Sequence, residues 1–586
     1  MNRTFPKDLN ERGIRIAFKE TPWLAPAGGT RRAYLNNFSA AGGNTGVLLE
    51  DAPKPRIIGH DNDPRTAFVV AVTAKSAWSL EKNIERLIEY LEKNPGISLP
   101  NLSYTSTARR SQYSYRISVA ASDIFEAKEA LISARKEAVR PVSSNSPGVC
   151  FVFTGQGSHY PALGRQIFES SRKFKSDILE FDRISQNQGF SSFLPLVDGT
   201  ITDMNSLSPI TLQLGQCCIQ MALARLWMSW GVSPTAVVGH SLGEYAALNI
   251  AGVLSVSDTI FLVGRRAQLL QNCCTAGTHA MLAIATSVAS VNDILVGKNL
   301  EVACINSPRE IVLSGPAEQM ISYKKTLKEA GIKCVLLPTS YAFHSSQVSA
   351  ILDPFKAWAS SITFRSPTVP VISPLLREEV TNGQVFGADY LSRHARETVD
   401  FLGAITNSKT GKSINQNMIW VEIGPAPVCC AFIESSLGSE TVTVPSLRKN
   451  EDPWRTTASG LSILHRKGIN IDWYEVHREY ELSHKVLPLP SYAFENKNYW
   501  LEYTNNWCLN KGELPVPLSQ TLAPAKKTRN RYLLSTSSVQ NVTKEDFGKT
   551  ITLVAESDLS EPSLNMAITG HLVNGLALCP SVCAQA

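Results

Sequence analysis

Apolar and polar residues alternate along this chain in two rhythms, and the places where the rhythm changes divide it. Phe68-Val69-Val70-Ala71-Val72 predicts a strand, and residues 79–92 carry apolar side chains at helical spacing. Tyr115-Arg116-Ile117-Ser118-Val119 predicts a second strand, followed by a helix over 122–136, and Ser143-Ser144-Asn145-Ser146-Pro147 reads as a boundary. Cys150-Phe151-Val152-Phe153 opens a larger α/β unit that continues to about Asn450. Inside it, residues 280–338 keep their own order: strand 281–286, helix 288–295, strands 301–305 and 311–314, helix 317–330, strand 333–337. That β-α-β-β-α-β sequence predicts an inserted ferredoxin-like unit. Near the start, residues 32–38 and 45–49 predict two strands around the Gly-rich turn Ala41-Gly42-Gly43-Asn44. Two strands cannot bury a core, so they are expected to belong to a sheet whose other strands are absent. Residues 452–511 give helix and loop signals, 515–531 read as linker, and 535–586 hold strands, a short helix and a Gly-His turn.

Bulk properties narrow the class. A length of 586 residues suits several units, and 43% hydrophobic with 18% charged residues fits a globular protein. The balance of 57 basic against 51 acidic residues gives only +6, too little over this length to point to nucleic acid. No apolar stretch is long enough to span a bilayer, and Met1 to Asp8 shows no secretory signal. The 12 cysteines form no C-x-x-C pair, so they read as buried or free thiols in a reducing cytoplasm, with no metal site.

The chemistry is concentrated at Gly239-His240-Ser241-Leu242-Gly243. It follows the β-branched run Ala236-Val237-Val238 and precedes a helical pattern from Glu244. A strand, a G-x-S-x-G turn and a helix make a nucleophile elbow, with a serine able to form an acyl ester; the bland alternative is a helix-capping serine. The serine needs a base, and His344, just after the inserted unit returns to the main one, is the best placed of 10 histidines. A satisfied structural histidine is the competing reading. Thr154-Gly155-Gln156-Gly157-Ser158 follows the first strand of the unit and can offer a backbone N–H to an oxyanion, or be an ordinary turn. Arg266, on the second helix after the serine, could bind a substrate carboxylate bidentately or lie on a solvated helix face; the solvated face fits Arg265 better, and sequence alone does not separate the two readings.

Together, Gly-Gln-Gly at the first strand, Gly-His-Ser-Leu-Gly, Arg-Ala-Gln, Ala-Phe-His-Ser and Glu422-Ile423-Gly424-Pro425 resemble malonyl-CoA:acyl carrier protein acyltransferases, in that family's order. The flanks resemble a fungal non-reducing iterative polyketide synthase. The resemblance implies an α/β fold: a hydrolase-like parallel-sheet acyltransferase core with an inserted ferredoxin-like subdomain, flanked by an α/β linker and partial domains. It divides the chain into a ketosynthase C-terminal remnant (1–53), a ketosynthase–acyltransferase linker (54–147), the malonyl acyltransferase (148–450, insert 280–338) and a post-acyltransferase linker (451–512). A flexible linker (513–534) and a truncated, hot-dog-like product-template start (535–586) follow.

The same resemblance implies roles. Ser241 is acylated by malonyl-CoA, His344 is base and then acid, and the backbone N–H groups of Gln156 and Leu242 hold the oxyanion. Arg266 pairs with the malonyl carboxylate; Phe343, as in malonyl-selective members, and His240 line the substrate site. Tyr341, where many bacterial members have histidine, departs from the pattern. His571 resembles the product-template catalytic histidine, although its acidic partner would lie beyond Ala586. The expected acceptor is the phosphopantetheine thiol of an acyl carrier protein, supplied with the ketosynthase from outside this segment, and the full synthase is expected to be a dimer. No covalently bound cofactor, nucleic acid or membrane enters this picture. A serine hydrolase or thioesterase uses the same elbow, and an inactive truncated fragment is the third reading; against the hydrolase, no Asp/Glu-then-His pair follows the serine.

Overall fold

A computed structural model describes residues 8–17, 21–27, 29–39, 43–51, 63–143, 145–201, 203–290, 299–408, 417–497, 541–547, 551–569, 572–573 and 576–577. The chain divides into two compact units, one of residues 57–497 and one of the two ends.

The centre of the large unit is a six-stranded sheet. Its order runs Glu378–Val380, Val371–Ser373, Ala236–Gly239, Val149–Phe153, Ile419–Ile423, Val442–Pro445. All neighbours are parallel except the Glu378–Val380 edge strand, which runs antiparallel to Val371–Ser373. The central strands are continuous apolar runs because helices cover both faces. Phe151, Phe153, Val237 and Val421 pack on one face, and Cys150, Val152, Val238 and Trp420 on the other. Phe151 pairs with Val237 and Phe153 with Gly239, so the ends of two adjacent strands meet where the Gln156 loop and the serine turn begin.

The inserted subdomain has the four expected strands and the expected second helix. Its strands lie in the order Cys334–Leu336, His279–Ile284, Glu310–Pro316, Glu301–Ser307, all antiparallel. Alternation along them builds two faces: Leu282, Ile284 and Leu313 pack under the Ala317–Glu329 helix, while Met281, Cys304 and Val312 face Phe343. The main unit adds a fifth strand, Val399–Asp400, parallel to Glu301–Ser307. Most of the expected helix 288–295 lies outside the described residues.

Before the central sheet, Phe68–Ala74 pairs antiparallel with Tyr115–Ala121, and the helices Ala77–Lys93, Leu99–Ala108 and Ile124–Ala134 cover them. The middle helix is not legible as one. Its sequence, LPNLSYTSTA, is rich in residues that favour caps and turns. It is stabilised by buried hydroxyls: Thr107 donates to the Ser103 carbonyl at 2.7 Å, and Ser103 donates to Val69 O at 2.6 Å. The main core also continues past residue 450. Trp454, Leu461 and Leu464 of the Pro453–Arg466 helix, and Trp473 beyond it, belong to the same apolar cluster as Phe151.

In the other unit, Arg32–Phe38 pairs antiparallel with Asn44–Glu50, and among the described residues this hairpin is a sheet of two. Its Tyr34, Leu35, Phe38 and Leu48 are exposed. The turn at 570–571 and the linker 515–531 lie outside the described residues, as does His571.

Candidate active site

The serine turn is built by close approach. Ser241 has φ +50°, a left-handed conformation that costs a non-glycine residue about 1–3 kcal/mol. A Cβ at Gly239 would sit 2.2 Å from Glu244 Cα, and one at Gly243 would sit 2.3 Å from Phe153 O. Both flanking positions therefore require glycine for helix and strand to meet. Gly243 N–H donates to His240 O and Glu244 N–H to Ser241 O, each at 3.0 Å, which starts the Gly243–Ile250 helix directly behind the hydroxyl.

His344 is delivered by a second strained turn, with φ +56°. Ser314 Oγ, on an insert strand, donates to Phe343 O at 3.0 Å, and Ser345 Oγ donates to Ala342 O at 2.6 Å. These bonds fix the turn against the insert. Ser241 Oγ then lies 2.7 Å from His344 Nε2, and His344 Nδ1 lies 3.0 Å from the main-chain oxygen of Glu397. A carbonyl only accepts, so Nδ1 carries the proton and Nε2 is left to accept from the serine. Burial pushes the His344 imidazole well below its ordinary range, helped by His394, Arg266 and His240. A neutral base beside the nucleophile results.

The Gln156 loop is held from below. Gln216 donates to Thr154 O at 3.1 Å and to Gly155 O at 2.6 Å, and Gln220 donates to Thr154 O at 2.7 Å. The Thr154 hydroxyl donates to Glu422 Oε1 at 2.9 Å, while the Glu422 carboxylate accepts from the Cys429 and Cys430 amides at the next helix start. Gly424 is needed there, because a Cβ would overlap Thr154 Oγ1. Among the described residues neither the Gln156 nor the Leu242 amide donates to a backbone carbonyl, so both remain available to an oxyanion.

A cleft of about 220 Å³ between the core and the insert contains Gln156, His240, Ser241, Phe343 and His344, with Met281 and Asn306 on the insert side. His240 does more than line it. Its Nε2 lies 2.8 Å from Asn306 Oδ1, and Asn306 Nδ2 donates to Glu310, so Asn306 Oδ1 accepts and His240 ties the core to the insert. Its ring packs beside Phe401 and Phe432.

Arg266 is 1% exposed, and Arg265 lies over Phe190, Phe261 and Trp358. Arg266 Nη1 donates to Gln213 Oε1 at 2.8 Å, and its guanidinium stands 5.3 Å from the Phe343 ring centroid. Its Nε and Gln213 Nε2 have no partner, and among the described residues no carboxylate pairs with it. A buried cation without an anion is costly. Sequence reasoning missed the glutamines behind the site, although Gln213, Gln216 and Gln220 stand at i, i+3 and i+7 on an otherwise apolar helix, Pro209–Ser229. It also missed Asn306 and the Glu397 carbonyl. Among the described residues no cluster is suited to a metal ion, and no helix is long and apolar enough to cross a membrane.

Residues 150–471 match the family described as acyl transferase domain, and 68–131 match CurL-like, PKS C-terminal. The chain is 62% identical over 99% of its length to the non-reducing polyketide synthase terA of Aspergillus terreus, and 48% identical over 99% to the conidial pigment polyketide synthase PfmaE of Pestalotiopsis fici. It spans 28% and 27% of those proteins. Among solved structures, the acyl transferase domain of SpnD in complex with 2-(pent-4-yn-1-yl)malonyl matches with a TM-score of 0.61 at 26% identity, covering 69% of this chain and 97% of that one. A serine–histidine dyad under a parallel sheet, an insert above it and these matches lead to one assignment: the chain belongs to the acyl transferase domain family, in the form found in fungal non-reducing polyketide synthases.

Proposed function

We propose that this chain moves malonyl from malonyl-CoA to Ser241 and then to the phosphopantetheine thiol of an acyl carrier protein, as a step in polyketide biosynthesis. The observation that carries the reading is the buried Arg266, which has a free Nε and, among the described residues, no carboxylate partner. A substrate bearing its own carboxylate supplies the missing anion, and a simple acetyl group does not.

The geometry supports the following route. His344 Nε2 takes the Ser241 proton as Oγ attacks the thioester carbon. The Gln156 and Leu242 amides receive the oxyanion, and the collapse expels the CoA thiolate, which recovers the proton from His344. A carrier thiol then repeats these steps in reverse order. Phe343 bounds the acyl pocket over Arg266, and His240 holds the insert at the distance the pocket requires.

The exposed hairpin at 32–50 and the match over 68–131 support reading residues 1–53 and 54–147 as ketosynthase end and linker. We assign residues 148–450, with the packed segment to residue 471 that the family match includes, to the acyltransferase, 472–534 to linkers and 535–586 to the start of a product-template domain, with His571 as its histidine. The partners on this reading are a carrier protein and a ketosynthase, in a cytoplasmic, dimeric synthase.

Radiolabelled malonyl-CoA tests the proposal: label should remain on the precipitated protein and vanish in Ser241→Ala. Arg266→Ala should lose malonyl loading while acetyl loading rises. Equal loss of both would remove Arg266 from the carboxylate role, and transfer to water as fast as to a carrier thiol would favour a hydrolase.

A further inference from the structure

Behind the dyad lies a second group of buried polar side chains that acyl transfer, as derived above, leaves unused. Glu244, in the first turn of the Gly243–Ile250 helix, is 1% exposed. Its Oε1 accepts a short hydrogen bond from the Tyr390 hydroxyl, which also shares a 2.6 Å hydrogen bond with Ser373 Oγ. Its Oε2 lies 3.2 Å from His394 Nε2, a close contact outside hydrogen-bond alignment. The His394 ring stands edge-on to His344, with centroids 6.0 Å apart, and edge-on to Tyr245 at 5.7 Å. His394 and the Glu397 carbonyl come from the end of one helix, Ala388–Arg396 and its C-cap. That helix thus sets both the acceptor at Nδ1 and the ring beside the imidazole.

The chemistry leaves a gap that this group fills. When His344 takes the serine proton it becomes a buried cation, with the Arg266 guanidinium nearby and a main-chain carbonyl at Nδ1. In a serine–histidine–aspartate arrangement a carboxylate offsets that charge by direct contact. Here the Glu244 carboxylate stands one side chain further back, with His394 between.

We propose that Glu244 and His394 position His344 from behind: His394 fixes the plane of the imidazole, and the Glu244 carboxylate holds His394 and supplies negative charge to the corner where the His344 cation forms. Both are positioning residues, since neither touches the reacting atoms. Among the described residues, His240 on the serine turn and Arg266 on the Val256–Cys273 helix also act on His344, and Glu301, Arg377, Arg396, Glu397 and Asp400 line a second cavity with it; Tyr245 and Tyr390 face the pair. The proposal rests on acyl transfer by Ser241 and His344, and not on which acyl group is carried.

The test uses the full chain and a fluorophosphonate probe, which labels an activated serine whatever its acyl preference, with the labelling rate followed across pH. Removing the anion in Glu244→Gln should lower the midpoint of the acid limb by about one pH unit and slow labelling about tenfold at neutral pH. Removing the ring in His394→Gln should release the imidazole plane and slow labelling by a similar factor. Tyr390→Phe keeps the carboxylate and should keep the wild-type midpoint. Loss of rate in Glu244→Gln with an unmoved midpoint would show a purely structural role and overturn the proposal. Should Glu244→Gln not fold, Glu244→Asp must keep the wild-type midpoint and His394→Gln must slow labelling; failure of either overturns it. If the wild type labels no faster than Ser241→Ala, the nucleophile assignment fails instead, which separates the two claims.

Discussion

Gly239→Ala is the sharpest perturbation available, because it adds one methyl group where strand and helix cross beneath the nucleophile. The added Cβ would lie 2.2 Å from Glu244 Cα, 2.3 Å from Glu244 N and 2.7 Å from Gly243 C, against an ordinary contact of 3.4 Å or more. All three are backbone atoms, so no side chain can swing aside. The crossing must open by about 1 Å, and Ser241 rides on it. The dyad contact is 2.7 Å, and an opening of that size carries it to the limit of hydrogen bonding. A misplacement of this order costs about 100-fold in rate, equivalent to about 2.7 kcal/mol, alongside about 1–3 kcal/mol of overpacking. Initial malonyl loading and fluorophosphonate labelling, each compared with the thermal melt, read the two effects separately. Gly96→Ala is the control, since nothing lies within 4 Å of its Cβ. Loading within twofold of wild type at an unchanged melting temperature would refute the crossing as the reason for glycine.

Three other outcomes are expected. Gln216→Leu removes the donor to Thr154 O and Gly155 O, which should slow loading by about tenfold or more and cost about 1–3 kcal/mol in a denaturant melt. Because His344 is held well below 6.5, loading should stay flat as pH falls from about 8 to 6.5 and decline only in more acid solution; a midpoint at or above 6.5 would contradict this. Burial alone would raise the Asp63 carboxyl, but hydrogen bonds from His484 and Arg65 overcome it and bring the pKa from 3.8 to about 2. The resulting stability, about 2 kcal/mol, is present above 3.8 and lost as pH falls through 2, so denaturant melts should show an acid loss that Asp63→Asn removes.

Much of the core was legible because its signals are local. The apolar runs at 150–153 and 236–239 are buried on both faces, and the insert strands show a period of two, so both rhythms survive folding. The serine turn was legible because two backbone crossings demand glycine on either side of it. The Leu99–Ala108 helix was hidden because its hydroxyls find partners only in the folded chain. Likewise the Pro453–Arg466 helix reads as a following segment, and only packing brings Trp454 and Leu461 into the main core. At the site, Ser241, His344 and Arg266 announce their chemistry by type. Asn306, Gln216 and Gln220 act through amides whose meaning depends on what stands opposite them, and no spacing encodes that.

The acceptor at His344 Nδ1 has a genetic consequence. It is the carbonyl of residue 397, whose own carboxylate is engaged in a surface pair with Arg393. No change of side chain at 397 can delete that oxygen, so Glu397→Ala should pass through an alanine scan almost silently while an aspartate in its place would have stood out. The third member of this machinery is written in the path of the chain, where mutation reaches it only by bending the backbone. Replacing the peptide at that position with an ester, by chemical synthesis, is the perturbation that would expose it.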